Sequence, residues 1–364
     1  MPGYLICLSR RNWAGCGLTL EAKGMMHSLL LGNGINRIAL QKDWKEILRE
    51  LASQFDAEEL IQHLDSKPLS MFIEELCARS GQPFRKAEHS VKVAFAGLLK
   101  QISPIDAHEH ICSPFKVIMT TNYDFTIEET FAGPMHQPAF LAPESRYSLF
   151  RRHHAAGRDV WHVHGDVARP SSMVLGFDHY AGSLQKIRNY VTDGIEVKKI
   201  PYRVHSPVKG GNLDFHVNGV IHSWIDFFLR DHVHIVGLGM DFTEIDLWWL
   251  LLHKRRRAHQ TGRVFFYQMF VEPIKESPVM SLLRSLNVEV VPVQASNWAD
   301  CYMIAVEEIE KRIRANPELL PIPSRENYVY EEYTTPTRAA RPKTSQASFK
   351  FMTAPRKPSA KKPS

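Results

Sequence analysis

The hydrophobic positions of the chain form short apolar runs that alternate with stretches of helical spacing. Six of these runs predict buried strands: 27–31, 117–119, 160–163, 233–236, 264–267 and 288–293. Apolar residues recur at helical spacing in four other stretches, which predict amphipathic helices: 44–55, 69–76, 91–102 and 298–313. Strands that alternate with helices are typical of a parallel sheet covered by helices on both faces. The pattern therefore predicts an α/β, Rossmann-like fold.

Two interruptions of this pattern predict insertions into one large domain of residues 25–320. The helical stretch of about 40–110 lies between the first two strands and predicts a helical insertion or cap. A less regular stretch of about 180–230 predicts a second insertion, with helices near 187–191 and 220–229.

The two ends of the chain differ from its centre. Residues 1–24 lack the long apolar stretch of a signal peptide, and Met25 and Met26 directly precede the first strand. We therefore expect the natural start at one of these methionines and a disordered or non-native extension before it. Residues 321–364 are rich in Pro, Ser, Lys and Arg and predict a disordered basic tail.

Charge and cysteine content limit the class of protein. The 364 residues carry a net charge of +6, and no acidic residue follows Glu332, so the tail supplies the basic excess. No two of the five cysteines are spaced as CxxC, which argues against a four-cysteine zinc ribbon and a disulfide scaffold. No apolar run approaches the ~20 residues that span a bilayer. We expect a protein of the reducing cytoplasm with no membrane association.

Four motifs directly follow predicted strands. They are Gly32-Asn33-Gly34-Ile35-Asn36, Thr121-Asn122-Tyr123-Asp124, His162-Val163-His164-Gly165-Asp166 and Gly237-Leu238-Gly239-Met240-Asp241. In an open parallel sheet, ligands bind at the carboxyl ends of the strands. The shared position of the four motifs therefore predicts one binding site at this edge of the sheet.

The first and last motifs are glycine turns. Gly32 and Gly34 would let the backbone approach a pyrophosphate at the N-terminus of the next helix, but such turns also occur without a ligand. Gly237 and Gly239 favour a second phosphate or ribose contact, or only a turn into a helix. The nearby Thr243 with Asp246 could cap that helix.

The second and third motifs carry polar side chains. Asn122 offers an amide for ribose hydroxyls or a water, and Asp124 offers an acceptor, but both residues also favour an Asx turn or a helix N-cap. A neutral histidine at a strand end can act as a general base. His162 and His164 are expected on one face of their strand, and with Asp166 they are also typical of a metallo-hydrolase. A purely structural, hydrogen-bonded histidine is the alternative, above all for His162.

Together and in this order, the four motifs resemble those of the sirtuin superfamily. The glycine turn is similar to its GAGxS motif, and Thr121-Asn122-Tyr123-Asp124 is similar to TQNxD. His164-Gly165 resembles the catalytic histidine-glycine pair, and Gly237-Leu238-Gly239 resembles the late GTS-type turn. The resemblance extends from about Ser28 to Val293 and implies an enzyme that uses NAD.

The resemblance also implies residue roles. Asn122 would hold the nicotinamide ribose and the attacking water, and His164 would act as the base. Eight further residues would bind NAD: Gly32, Asn33, Gly34, Asn36, Thr121, Asp124, Gly237 and Gly239. Among these, the turn at 32–34 would cradle the pyrophosphate, Asp124 would bind the carboxamide and Gly239 would line the adenosine side.

The departures from the family pattern indicate a particular branch. The four-cysteine zinc module is absent, and Asn36 and Thr121 stand where Ser and Gln are usual. These features, with the helical insertion, resemble the prokaryotic antiphage-defence branch, which hydrolyses NAD to nicotinamide and ADP-ribose. That resemblance implies NAD as the substrate, no metal, a homo-oligomer and a separately encoded sensor or ATPase partner.

Two other functions remain open. The sheet could hold NAD or ADP-ribose as a signal, with a basic tail or a partner that contacts nucleic acid. A metallo-hydrolase built on His162, His164 and Asp166 is a third hypothesis, although it leaves the glycine turns unexplained.

Overall fold

The computed structural model describes residues 26–40, 44–133, 146–197, 202–206, 223–258 and 261–317. The predicted N-terminal extension and basic tail lie outside these residues. The strands are β1 (His27–Leu31), β2 (Val117–Thr120), β3 (His153–Ala155), β4 (Arg158–His162), β5 (His232–Val236), β6 (Val264–Phe270) and β7 (Val288–Gln294). The helices are α1 (Asn36–Leu40), α2 (Trp44–Ser53), α3 (Leu69–Arg79), α4 (Phe84–Leu99), α5 (Asp106–Cys112), α6 (Thr126–Ala132), α7 (Phe177–Thr192), α8 (Trp224–Arg230), α9 (Ile245–Arg255), α10 (Pro278–Ser285) and α11 (Trp298–Ala315).

The strands form one sheet in the order β3-β4-β2-β1-β5-β6-β7. All neighbours pair in parallel except β3, which is antiparallel to β4 at one edge. The chain first builds the sheet outward from β1 through β2 to β4, and then continues on the other side of β1 with β5. The order therefore reverses at β1, and ligands of such sheets bind at the carboxyl end of the strand where it reverses. The predicted Rossmann-like α/β fold is confirmed.

Helices cover both faces of the sheet because its strands are apolar on both sides. In β1, Leu30 packs into the core on one face, which includes Trp224 of α8 and Leu250 of α9. Leu29 and Leu31 pack into the core on the opposite face, which includes Tyr302 of α11. This alternation follows from the two-residue period of a strand, and it buries all five residues of β1.

A third core belongs to the helical insertion. Ile47 of α2, Phe72 of α3 and Phe95 of α4 are buried in it, as the helical spacing predicts. The same core contains Tyr123 from the loop after β2 and Met173 from the segment after β4. The insertion therefore packs on two of the four predicted site loops.

Several elements differ from those expected from sequence. The strand β3 and the helices α5 and α6 were not expected, since each is only three to seven residues long and shows too little periodicity. The strand predicted at 160–163 is β4 and ends at His162, so the expected alternation does not extend to His164.

No helix in the described ranges is both long and apolar enough to cross a lipid bilayer.

Candidate active site

The four predicted loops meet at the carboxyl edge of the sheet and are joined in sequence by hydrogen bonds. The Gly34 amide donates to the carbonyl oxygen of Gly237 over 2.7 Å, which joins the loops after β1 and β5. The Thr121 amide donates to the Leu31 carbonyl over 3.1 Å, which joins β2 to β1. The Val167 amide donates to the Tyr123 carbonyl over 2.8 Å, which joins the loops after β4 and β2. Loops from distant parts of the chain thus form one continuous surface.

The glycines of this edge fall into two groups. A Cβ on Gly32 would lie 2.5 Å from the Gly237 carbonyl oxygen, and one on Gly34 would lie 2.8 Å from the same atom. These two positions therefore need glycine because two backbones approach closely there. A Cβ on Gly239 would meet no atom of the described residues within 4 Å. Gly239 is exposed, so its backbone is accessible to a ligand.

Asn36 connects the first loop to the second. Its side-chain nitrogen donates to Asp124 Oδ2 over 2.7 Å and to Asn33 Oδ1 over 2.8 Å. The ring nitrogen Nε2 of the buried His108 lies 3.3 Å from Asn36 Oδ1. Because His108 Nδ1 accepts from the Ile105 amide over 3.1 Å, Nε2 is the nitrogen that donates to Asn36. Asn36 is therefore fixed from both ends, and His108 is a contributor that the sequence motifs did not indicate.

Asp124 is held by the protein at both carboxylate oxygens. Its Oδ1 accepts from the Thr126 amide over 3.1 Å and from the Thr126 hydroxyl over 2.6 Å, and its Oδ2 accepts from Asn36. These bonds form the Asx turn that leads into α6, so the structural alternative for this residue is present. Its predicted contact with the nicotinamide carboxamide would use a remaining lone pair and stays a prediction.

Asn122 is the unusual member of the site. Its side chain is buried, with the residue 2% exposed, and neither amide atom has a hydrogen-bond partner among the described residues. Its backbone is fixed, because the Asn122 amide donates to Thr120 Oγ1 over 3.0 Å. A buried polar group without a partner costs about 1–3 kcal/mol, so such groups call for a ligand or water to explain them. The free amide fits the role in ligand binding that the sequence predicted.

The imidazole ring of His162 holds the backbone of Asn122 in place. Its Nδ1 lies 2.7 Å from the Asn122 carbonyl oxygen, and its Nε2 lies 2.7 Å from Glu128 Oε1. Both partners are acceptors, so both ring nitrogens carry hydrogen and the ring is an imidazolium. Burial opposes this charge, but the carboxylate of Glu128 and its hydrogen bond outweigh burial and raise the pKa of His162. His162 therefore has a structural, hydrogen-bonded role, which was the alternative that we expected for it from the sequence.

His164 lies in a different environment. Its Nε2 is 3.1 Å from Asp246 Oδ2, and its Nδ1 is 3.7 Å from Glu244 Oε2. The Tyr180 ring meets the imidazole edge to face, with the ring centroids 5.3 Å apart. Burial disfavours a charge here too, but the carboxylates of Asp246 and Glu244 together raise the pKa of His164. The expectation that Asp246 caps the next helix is wrong, because Asp246 lies within the first turn of α9, the N-cap residue is Glu244 and the Asp246 carboxylate binds His164.

The predicted metal motif does not form a single site. His162 is bound to Glu128, His164 to Asp246, and Asp166 to the guanidinium of Arg151. The three side chains have different partners because the strand ends at His162 and Gly165 follows with a positive φ of 88°. The metallo-hydrolase hypothesis based on these three residues is therefore wrong.

Other groups have the residue types of metal ligands. In the described part of the chain, two sets of three donor atoms lie within 4.8 Å of one another: Glu128 with His153 and His162, and His164 with Glu244 and Asp246. In both sets a histidine nitrogen is already hydrogen-bonded to a carboxylate. The hydrogen bonds explain these contacts without an ion, and the expectation that no metal is needed stays a prediction.

The fold and the site first define a class. The sheet is open and mostly parallel, with glycine turns after β1 and β5, where its order reverses. The loop after the neighbouring strand β2 carries a buried amide with no partner among the described residues. This is a Rossmann-like nucleotide-binding arrangement. The family model described as "SIR2-like domain" matches residues 116–290, so this part of the chain, slightly less than half of it, is similar to SIR2-like domains.

A solved chain described as "Structural Basis for the Mechanism and Regulation of Sir2 Enzymes" is 12% identical, and the alignment covers 80% of this chain and 94% of that chain with a TM-score of 0.31. No curated protein matches the chain.

Proposed function

We propose that this protein hydrolyses NAD to nicotinamide and ADP-ribose. The observation that carries the proposal is the buried amide of Asn122, whose polar atoms have no partner in the described residues at the edge where four loops meet. An amide in this position can hold a ribose hydroxyl through one atom and a water through the other. The SIR2-like domain supports NAD as the source of that ribose.

Hydrolysis of the bond between nicotinamide and ribose requires few catalytic groups. Nicotinamide leaves a cationic pyridinium as a neutral molecule, so the leaving group needs no acid. The transition state resembles an oxocarbenium ion, and the site must position water and stabilise the developing charge. In the proposal, Asn122 positions the ribose and the water, and His164 accepts the proton that the water releases. The exposed residues Gly34 and Gly239 would line the pyrophosphate and the adenosine side, respectively.

The cellular role is part of the same proposal. Loss of NAD would stop the metabolism of a phage-infected cell, as in the defence branch that the motifs resemble. Such an activity must stay silent in a healthy cytoplasm. We therefore propose control by self-assembly or by a separately encoded sensor or ATPase.

The proposal is tested by following nicotinamide release from NAD, with mass spectrometry of the products. We expect the wild type to release nicotinamide and ADP-ribose, and the Asn122→Ala and His164→Ala variants to lose this activity. His154→Ala is a matched control, because His154 lies on the edge strand β3 and contacts Asp159 instead of the site. Full activity in the Asn122→Ala, His164→Ala double variant would contradict the assigned roles.

A second function is favoured by one observation. Both ring nitrogens of His164 face carboxylates, which leaves neither one turned toward solvent. A site of this kind could hold NAD or ADP-ribose as a signal without cleaving it. Calorimetry that shows NAD binding together with intact NAD after incubation, with and without candidate partners, would support this sensor function over hydrolysis.

A further inference from the structure

The loop after β5 brings two carboxylates to one histidine. Asp246 lies in the first turn of α9, and Glu244 directly precedes that helix. The two side chains face opposite nitrogens of His164, at 3.1 Å from Nε2 and 3.7 Å from Nδ1. Neither carboxylate belongs to the four motifs that marked the site in the sequence.

Asp246 determines which nitrogen of His164 can take up a proton. Its Oδ2 accepts from the Ser183 hydroxyl over 2.9 Å, and its Oδ1 accepts from the Leu247 amide over 2.9 Å. The carboxylate is thus fixed as an acceptor, and Nε2 of His164 must donate to it. The lone pair of the neutral imidazole therefore lies on Nδ1, which is the nitrogen that faces Glu244.

Glu244 is placed to respond to a proton on Nδ1. Its Oε2 is buried and has no hydrogen-bond partner among the described residues, and 3.7 Å is too long for a direct bond to the ring. An anionic oxygen at this distance stabilises an imidazolium strongly when water is largely excluded. A movement of less than 1 Å would make the hydrogen bond.

We propose that Glu244 is a further functional residue of this site. Glu244 and Nδ1 of His164 share the proton that the attacking water releases. This inference rests on the proposed NAD hydrolysis. In that step the water oxygen forms a bond to C1′ of the ribose, and the C1′–N bond breaks with its electron pair passing to the pyridine nitrogen. The water proton passes to the His164–Glu244 pair and then to solvent. Asp246 is a positioning residue, since it acts through His164.

The charges around the pair agree with this role. His164 faces Asp246 and Glu244, and its other close neighbour, Tyr180, is neutral, because burial and nearby carboxylates raise its pKa well above the usual value. Glu244 faces His164, Asp246 and Asp241, and Tyr123 also lies within range of its charge. Burial raises the pKa of Glu244 to about 7, and Asp246 and Asp241 add to the rise while His164 opposes it. The carboxylates around the pair therefore favour a proton held between His164 and Glu244.

The inference is tested by a titration that needs no activity. In protein with ¹⁵N-labelled histidine, NMR should show His164 as the Nε2–H tautomer when neutral. Glu244→Gln should lower the midpoint of its titration by about one pH unit or more, because the ring loses an anionic neighbour. Glu272→Gln removes an exposed carboxylate elsewhere and should leave that midpoint unchanged.

Kinetics give the second readout. The acidic limb of the pH profile for nicotinamide release should shift downward in Glu244→Gln together with the NMR midpoint. Asp246→Asn should lower kcat by about 100-fold or more with little change in KM, because it no longer selects the tautomer. An unchanged His164 midpoint in Glu244→Gln, or an Nδ1–H tautomer, overturns the inference even if NAD is hydrolysed. Absence of hydrolysis by both the monomeric and the self-assembled protein, alone and with candidate partners, overturns the proposed function, while the NMR titration still decides the pairing.

Discussion

The Nδ1 atom of His162 lies 2.7 Å from the carbonyl oxygen of Asn122, and this bond fixes the backbone of a residue whose side-chain amide has no partner in the part of the chain that the structure describes. The other ring nitrogen is held by Glu128, a fully buried residue of α6. A chain of two hydrogen bonds therefore runs from α6 through the end of β4 to the loop after β2. The resemblance assigned no role to His162. This histidine nevertheless holds Asn122, the residue to which the resemblance assigned the binding of ribose and water.

Loss of this support should reduce activity without removing a reacting group. In His162→Gln the ring can no longer bridge Asn122 and Glu128, so the amide loses its fixed position. Misplacement of a positioning group by about 1 Å can cost up to about 100-fold in rate. We expect kcat for nicotinamide release to fall by about 10- to 100-fold, with His154→Ala as the control. A His162→Gln variant with wild-type kcat would show that the bond does not position Asn122.

The same pair should make stability depend on pH. The folded-state pKa of His162 is raised above its ordinary value, so the folded protein binds this proton more tightly than the unfolded chain. The pair therefore stabilises the fold fully below about pH 6.5, and this contribution is lost as pH rises through the folded-state pKa. We expect urea unfolding to show a stability gap between wild type and His162→Gln that is largest in mild acid and shrinks in mild base. A gap that grows with rising pH would contradict a charged His162.

The periodicity of the sequence predicts the core strands because each is a buried apolar run followed by a turn. It also predicts that Asn122, His164 and the two glycine turns share one edge, since parallel strands end on the same side. It could not predict the partners of the histidines. His164 and Asp246 are 82 positions apart, and His162 and Glu128 are 34 apart, so only tertiary packing brings them together. The strand β3 was missed because three residues carry almost no periodic signal.

The two classes of glycine lead to opposite expectations. In Gly32→Ala the new Cβ would meet the Gly237 carbonyl oxygen at 2.5 Å, and because that atom is backbone, two loops must move apart. Overpacking of this kind costs about 1–3 kcal/mol. Gly239→Ala places its Cβ away from all described atoms, so we expect a change in the free energy of unfolding of no more than about 0.5 kcal/mol.

The two glycine variants should also differ in how they bind NAD. If the adenosine side of NAD contacts the backbone at Gly239, the added methyl group should raise KM for NAD severalfold while stability is kept. Chemical denaturation and NAD kinetics on the same two variants check both expectations. Equal destabilisation by the two substitutions would show that the close approach at Gly32 is not what requires glycine.

Asn122 itself should show a conflict between stability and function. The Asn122 amide is buried and has no partner among the described residues, so replacing it with an apolar group of similar size removes a desolvation cost. Asn122→Leu should therefore leave the free energy of unfolding unchanged or raise it by about 1 kcal/mol. It should also abolish nicotinamide release, because the group that holds ribose and water is gone. Asn36→Leu is the matched control, since Asn36 is equally buried but bonded to Asp124 and Asn33, and its loss should cost about 2–3 kcal/mol. Calorimetric or denaturant unfolding of the two variants decides the matter: a destabilisation of Asn122→Leu as large as that of Asn36→Leu would mean that the Asn122 amide serves the fold and is not kept for a ligand.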